Sequence, residues 1–207
     1  RMDRRRAEEP PGGVQGRVVP ARRLAEELGI RPGSGLGFEG GPVRVSWIPH
    51  LRAWKGKLFF GAGPGEAIHA ASFIRRRRLV LDEELRSNAG ELARIALHEL
   101  FHFAWVRMSN RERRSWEELV RKQVLAGASG ELGWSAEQRL LALRPADVRQ
   151  RSRRWREYVC ESFCDAAAWC FGCLRRHGEF TLDGRWRAER RAWLHEFVRH
   201  RGGVVPI

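Results

Sequence analysis

An α+β fold, with a small mixed sheet at the front of the chain and helices behind it, is what this sequence predicts. Two observations carry that reading. Between residues 43 and 81 apolar residues alternate or run in short stretches broken by glycine and proline, as strands do. From Asn88 onward the apolar spacing becomes helical and stays so nearly to the C-terminus. Strands first and helices afterwards is the α+β order.

The elements follow in turn. Residues 1–16 are charged and rich in Pro and Gly, and read as a disordered tail ahead of a single domain at 17–207. Pro20 to Leu28 reads as a short helix, with proline near its start and Gly29 after its end. Gly33 to Gly41 carries five glycines in nine residues and reads as a loop. Strands are expected at Val43–Ile48, Lys57–Gly61, Glu66–Ile74 and Leu79–Leu81, with Gly63-Pro64-Gly65 as a turn. A helix capped by Ser87 or Asn88 runs to about Met108, and its apolar residues lie nearly all round, so it is a buried helix. Ser109 or Asn110 caps the next, to about Ala126, and Gly127–Gly133 breaks it. A short helix follows Ser135, with Glu137 and Gln138 placed for a capping box. Pro145 ends it, a long helix spans about 146–176, and a last one runs over roughly 185–199 after a turn at Gly178–Gly184.

Composition bounds the function. The chain has 207 residues, 43% of them hydrophobic, enough for a real core. Its net charge of +14 is almost entirely arginine, since lysine occurs only at positions 55, 57 and 122. Such basicity suits a nucleic acid or another polyanion as partner. The arginines are nevertheless spread along the whole chain, with Arg75–Arg78 the densest run, which reads as a solvated strand edge. No apolar stretch is long enough to span a membrane. The four cysteines, Cys160, Cys164, Cys170 and Cys173, fall in one expected helix, where disulfide geometry is hard to reach; reduced thiols favour the cytoplasm. The Gly33-x-Gly35-x-Gly37 run follows no strand, so a dinucleotide loop is not expected.

The decisive segment is His98-Glu-Leu-Phe-His102. Residues i and i+4 share a helix face, so two imidazoles there converge on one zinc ion. Glu99 lies one position along, where its carboxylate reaches the metal's water and serves as general base. His98, Glu99 and His102 are the only polar side chains between Ile95 and Val106, and burying three titratable groups is costly unless they pair or bind a metal. A catalytic zinc needs a third protein ligand and one open position. Trp105 and Met108 stand where a metzincin would need Gly and His, and no histidine occurs again before His177. Glu161 is the best candidate, on a later helix whose Ala166–Ala168 run lets two helices approach. Asp165, one turn on, can accept a hydrogen bond from a ligating histidine. Glu161 could instead pair with Arg154 or Arg156. Cys160 and Cys164 could compete as ligands, and Cys170-x-x-Cys173 is a weaker structural-zinc signal.

An HExxH helix followed by a Glu-x-x-x-Asp helix resembles the gluzincin branch of zinc metallopeptidases, which includes thermolysin-type, lethal-factor-like and repressor-cleaving enzymes. The resemblance covers roughly residues 88–170. It implies a zincin-like fold, Zn2+ held by His98, His102 and Glu161, Glu99 as base, Asp165 behind a histidine, and a protein or peptide substrate. The interval from His102 to Glu161 is longer here than in thermolysin-type enzymes. For the oxyanion, Tyr158 is a candidate catalytic donor three residues before Glu161, with His177 and His195 as alternatives; the lethal-factor-like tyrosine position is occupied by Arg154. An exposed edge strand, Glu66–Ile74 or Leu79–Leu81, would pair with the substrate backbone. The rival expectation is a non-catalytic zinc module that binds nucleic acid or a protein through its basic surface.

Overall fold

The structure is a computed structural model, and it describes residues 16–55 and 57–207. All but the last residue of the expected tail at 1–16 lies outside the described residues. The chain is mixed α/β. Its strands are β1 (Arg17–Val19), β2 (Gly37–Glu39), β3 (Val43–Ile48), β4 (Arg52–Trp54), β5 (Lys57–Phe59), β6 (Glu66–Ala67), β7 (Ala70–Phe73), β8 (Arg78–Asp82) and β9 (Val204–Pro206). Its helices are α1 (Leu24–Glu27), α2 (Ala89–Arg107), α3 (Asn110–Leu125), α4 (Trp134–Leu141), α5 (Pro145–Gln150), α6 (Arg153–Phe171) and α7 (Gly184–Arg199).

The main sheet has the order β1-β3-β8-β7. β8 runs parallel to β3 and antiparallel to β7, which is the edge. All five residues of β8 are buried, as an interior strand covered on both faces requires. Leu79 and Leu81 join the large core beneath the helices, whereas Val80 packs with Ile48, Leu51 and Leu58 on the opposite face. That opposite face is covered by a second small sheet, β5-β4-β6. The large core runs from Val19 to Ile207.

Several sequence expectations need correction. The stretch read as a loop at 33–41 contains β2, which pairs in parallel with the unforeseen C-terminal strand β9. Only three residues each, these strands are too short for a periodicity signal. The strand expected over Glu66–Ile74 breaks at Ile68 into β6 and β7, and Leu79–Leu81 is interior rather than an edge. The long helix over 146–176 is two: Arg151, in the left-handed region at φ 48°, ends α5, and Ser152 restarts the chain by accepting from Trp155 N–H at the head of α6. Pro145 opens α5 rather than only ending α4. The arginine run is not a solvated edge throughout. Arg75 and Arg76 are exposed, but Arg77 donates to the carbonyls of Pro42 and Ile207 at 2.9 Å each, and Arg78 is buried.

The site rests on α2 and α6, the most extensively packed pair of helices. Asn88 Oδ1 accepts from Glu91 N–H at 3.1 Å and starts α2; Ser109 and Glu112 close a reciprocal capping box on α3. Ala166, Ala167 and Ala168 are all buried, so α6 comes close to α2. Phe101 locks the pair, lying 5.6 Å from Phe163 and stacked on Phe171 at 5.9 Å between ring centres.

Candidate metal centre

His98 and His102 project from one face of α2, each 8% exposed, with their Nε2 atoms 3.1 Å apart. Glu161 of α6, 3% exposed, points into the same space: its Oε2 lies 3.4 Å from His98 Nε2 and 3.5 Å from His102 Nε2. A tetrahedral ion with bonds of about 2.0–2.1 Å spaces its ligand atoms about 3.3 Å apart. The three separations therefore frame one coordination face. Glu99, half-buried on an otherwise covered stretch of α2, borders the same space and falls with His98 and His102 in one group of metal-type donors.

Each ligand-type group is held from behind. His98 Nδ1–H donates to Asp165 Oδ1 at 2.6 Å, which turns the lone pair of Nε2 inward. Asp165 Oδ2 in turn accepts the backbone N–H of Ala136 at 2.8 Å, in the first turn of α4. The residue preceding that helix is Gly133, and a Cβ there would fall 2.3 Å from Asp165 Cγ. So α4 is capped by a carboxylate from α6 rather than by Ser135 and its neighbours, and Glu137, expected in a capping box, binds Thr181 Oγ1 at 2.9 Å. Glu161 Oε1 faces Arg139 Nη2 of α4 at 3.3 Å, not Arg154 or Arg156. Arg139 Nη1 donates to Ser135 O at 2.8 Å, and the side chain is 33% exposed. Behind His102, Nδ1 meets Cys164 Sγ at 3.3 Å and Cys160 Sγ at 3.7 Å. The buried group His102, Cys160 and Cys164 can hold a metal ion.

Without a cation the charges compensate one another. Burial acts to lower the His98 pKa, but Asp165 and then Glu161 overcome it and hold the ring well above its usual value. Burial opposes protonation of His102 too, and Glu161 and Cys160 carry it to about 9. Glu161 is pushed up by burial and pulled down harder by the two histidines, ending well below the usual carboxylate range. Positive charge is thus stabilised between these groups, and a cation there replaces protons.

Tyr158, expected as the oxyanion donor, is engaged with Glu131 and Arg190. It is fully buried, and its hydroxyl donates to Glu131 Oε1 at 2.5 Å. Arg190 grips the same carboxylate at 2.5 and 3.0 Å and donates to Gln123 Oε1 at 2.9 Å. Tyr158 is kept neutral by burial and by Glu131, its pKa well above the ordinary phenol value. His177 Nε2 faces Glu91 at 3.4 Å, and His195 Nε2 faces Cys170 Sγ at 3.7 Å. Sequence reasoning missed Arg139, which looks like any other arginine in a basic chain, and Gly133, visible only as the end of a glycine-rich break.

Set against protein-family models, curated proteins and solved structures, the chain matches none. Among the described residues no helix is long and apolar enough to cross a membrane.

Proposed function

We propose that this protein is a zinc-dependent peptidase of the zincin-like, gluzincin type, with His98, His102 and Glu161 as ligands and Glu99 as general base. The observation that carries this reading is the triangle of two imidazole nitrogens and one carboxylate oxygen, 3.1–3.5 Å on a side, with Asp165 behind His98. Two nitrogens and an oxygen suit zinc, and three protein ligands leave the open position that a hydrolytic site requires. A purely structural site has no use for Glu99.

Zinc held by His98, His102 and Glu161 would supply Lewis-acid polarisation of a scissile carbonyl and would lower the pKa of a water toward about 7. Glu99 takes the proton from that water as it attacks and passes it to the departing amine nitrogen. Asp165 keeps His98 in one tautomer throughout. Arg139, anchored by Ser135 and facing Glu161 from a partly exposed position, supplies a charged donor toward the carbonyl oxygen as it gains negative charge. Strand β7, which packs beside α2 and is an edge of the sheet among the described residues, offers that edge to an extended peptide.

A second reading, a non-catalytic metal module that binds a polyanion, draws on the net charge of +14. One experiment separates the two: metal analysis of the purified chain, then cleavage of a quenched peptide library with and without chelator. The peptidase reading expects about one zinc at the histidine site and chelator-sensitive cleavage, with Glu99→Gln keeping the zinc and losing at least about 10²-fold in rate. Cleavage undiminished in Glu99→Gln, or no cleavage alongside steeply salt-dependent nucleic-acid binding, overturns it.

A further inference from the structure

We propose that His102, Cys160 and Cys164 form a second cation site, for a thiophilic ion such as Cd2+ or Cu+, on the opposite edge of the imidazole that serves the first. The two edges of His102 face different chemistry. Its Nε2 looks toward His98 and Glu161, while its Nδ1 looks at two sulfurs on α6, 3.3 and 3.7 Å away.

A ligating histidine ordinarily gives its outer N–H to a carboxylate or a carbonyl, and His98 does so with Asp165. His102 has instead a pair of thiols, brought to the ring together because residues 160 and 164 stand one helical turn apart on the side of α6 that faces α2. Zinc's bond lengths, about 2.3 Å to sulfur and about 2.0–2.1 Å to nitrogen, put tetrahedral nitrogen and sulfur ligands about 3.5 Å apart, and a larger soft ion spaces them slightly more. The two separations bracket that distance. Cys164 is 0% and Cys160 3% exposed, so water competes little for the position. Soft thiolates in a dry, apolar setting select soft cations over hard ones. Coordination releases to solvent one proton from each sulfur that binds and the Nδ1 proton of His102; with the first site also filled, the ring bridges the two ions as an imidazolate. The site draws on the structure independently of peptidase activity and stands whether or not the chain hydrolyses peptides.

The test is a Cd2+ titration of the metal-free full chain, reading sulfur-to-cadmium charge-transfer absorption in the ultraviolet. Because Cys170 and Cys173 are free thiols nearer the surface and offer cadmium competing sulfurs, the double change Cys170→Ala with Cys173→Ala is measured beside the wild type. The thiolate band is expected to persist in that variant and in His98→Ala, saturating at one cadmium per chain for the sulfur site, and to vanish in Cys160→Ala with Cys164→Ala. Loss of the band in the Cys170/Cys173 variant, or its survival without Cys160 and Cys164, overturns the proposal. Should the Cys160/Cys164 variant lose its circular-dichroism signature of folding, 113Cd resonance of the Cys170/Cys173 variant decides. A shift in the range of two sulfur ligands supports the site, and a shift in the nitrogen-and-oxygen range rejects it.

Discussion

Asp165 binds His98 with one carboxylate oxygen and the first turn of α4 with the other, so the side chain that orients a proposed ligand ring also caps a helix from a different part of the chain. Gly133 makes room for it. Its backbone is ordinary extended chain at φ 177°, open to any residue; only the space taken by Asp165 requires glycine. Gly133→Ala is therefore expected to push Asp165 away from His98 and weaken metal binding by about 10–100-fold, read by chelator competition. Unchanged affinity would show that the carboxylate has room to move.

In the proposed reaction Arg139, like the base Glu99, neither binds the metal nor orients a ligand ring. Arg139→Gln should lower kcat by about 10²-fold with metal content and KM little changed, and Arg139→Lys should recover part of it. If metal content falls instead, its role is to balance Glu161.

The Tyr158–Glu131–Arg190 cluster should matter for folding alone. Its ion pair is 0–1% exposed. Arg190→Ala leaves Glu131 buried without its cation and is expected to cost about 3–5 kcal/mol in urea unfolding. Tyr158→Phe removes one hydrogen bond to a charged acceptor, about 1.5–3 kcal/mol, and should leave the rate of hydrolysis intact. A large loss of kcat in a well-folded Tyr158→Phe chain would return the tyrosine to the reaction.

Acid should loosen the junction between α2 and α4. Glu91 accepts from Arg94 Nε at 2.8 Å; Arg94 also binds Glu179, which accepts the N–H of Trp134 at the head of α4. Burial alone would raise the Glu91 pKa, but Arg94 outweighs it and the folded value lies below the ordinary 4.5. A depressed folded pKa means that the contribution is complete above pH 4.5 and fades as pH falls through the folded value. Glu91→Gln should therefore cost about 1 kcal/mol at pH 6, the pair being partly exposed to water, with the gap to wild type shrinking below pH 4.5. Urea midpoints across pH 3–7 check this.

Much of the helical half was legible because its signals are local. Asn88 and Ser109 cap the helices they were read to cap, and the all-round apolar pattern of α2 is matched by its burial. The errors fall where a distant partner decides. β2 and β9 exist because each supplies the other with backbone partners across more than 160 residues of sequence, which no window of a few residues contains. The break at Arg151 turns on a left-handed residue that is not glycine, so composition gave no warning.

By itself the sequence determined which residues have the chemistry for a metal centre: two histidines a helical turn apart, a glutamate between them, and a later Glu-x-x-x-Asp segment. Helical periodicity is enough to set the first pair, because i and i+4 share a face in any α-helix. Only the tertiary structure decided what surrounds each group: Arg139 at Glu161, Ala136 and Gly133 at Asp165, two thiols at His102, and Glu131 rather than the metal site at Tyr158. Those contacts join α2, α4 and α6. They depend on how far apart the packed helices settle and on their rotation about their axes, which side-chain volume across the whole core sets and local sequence does not.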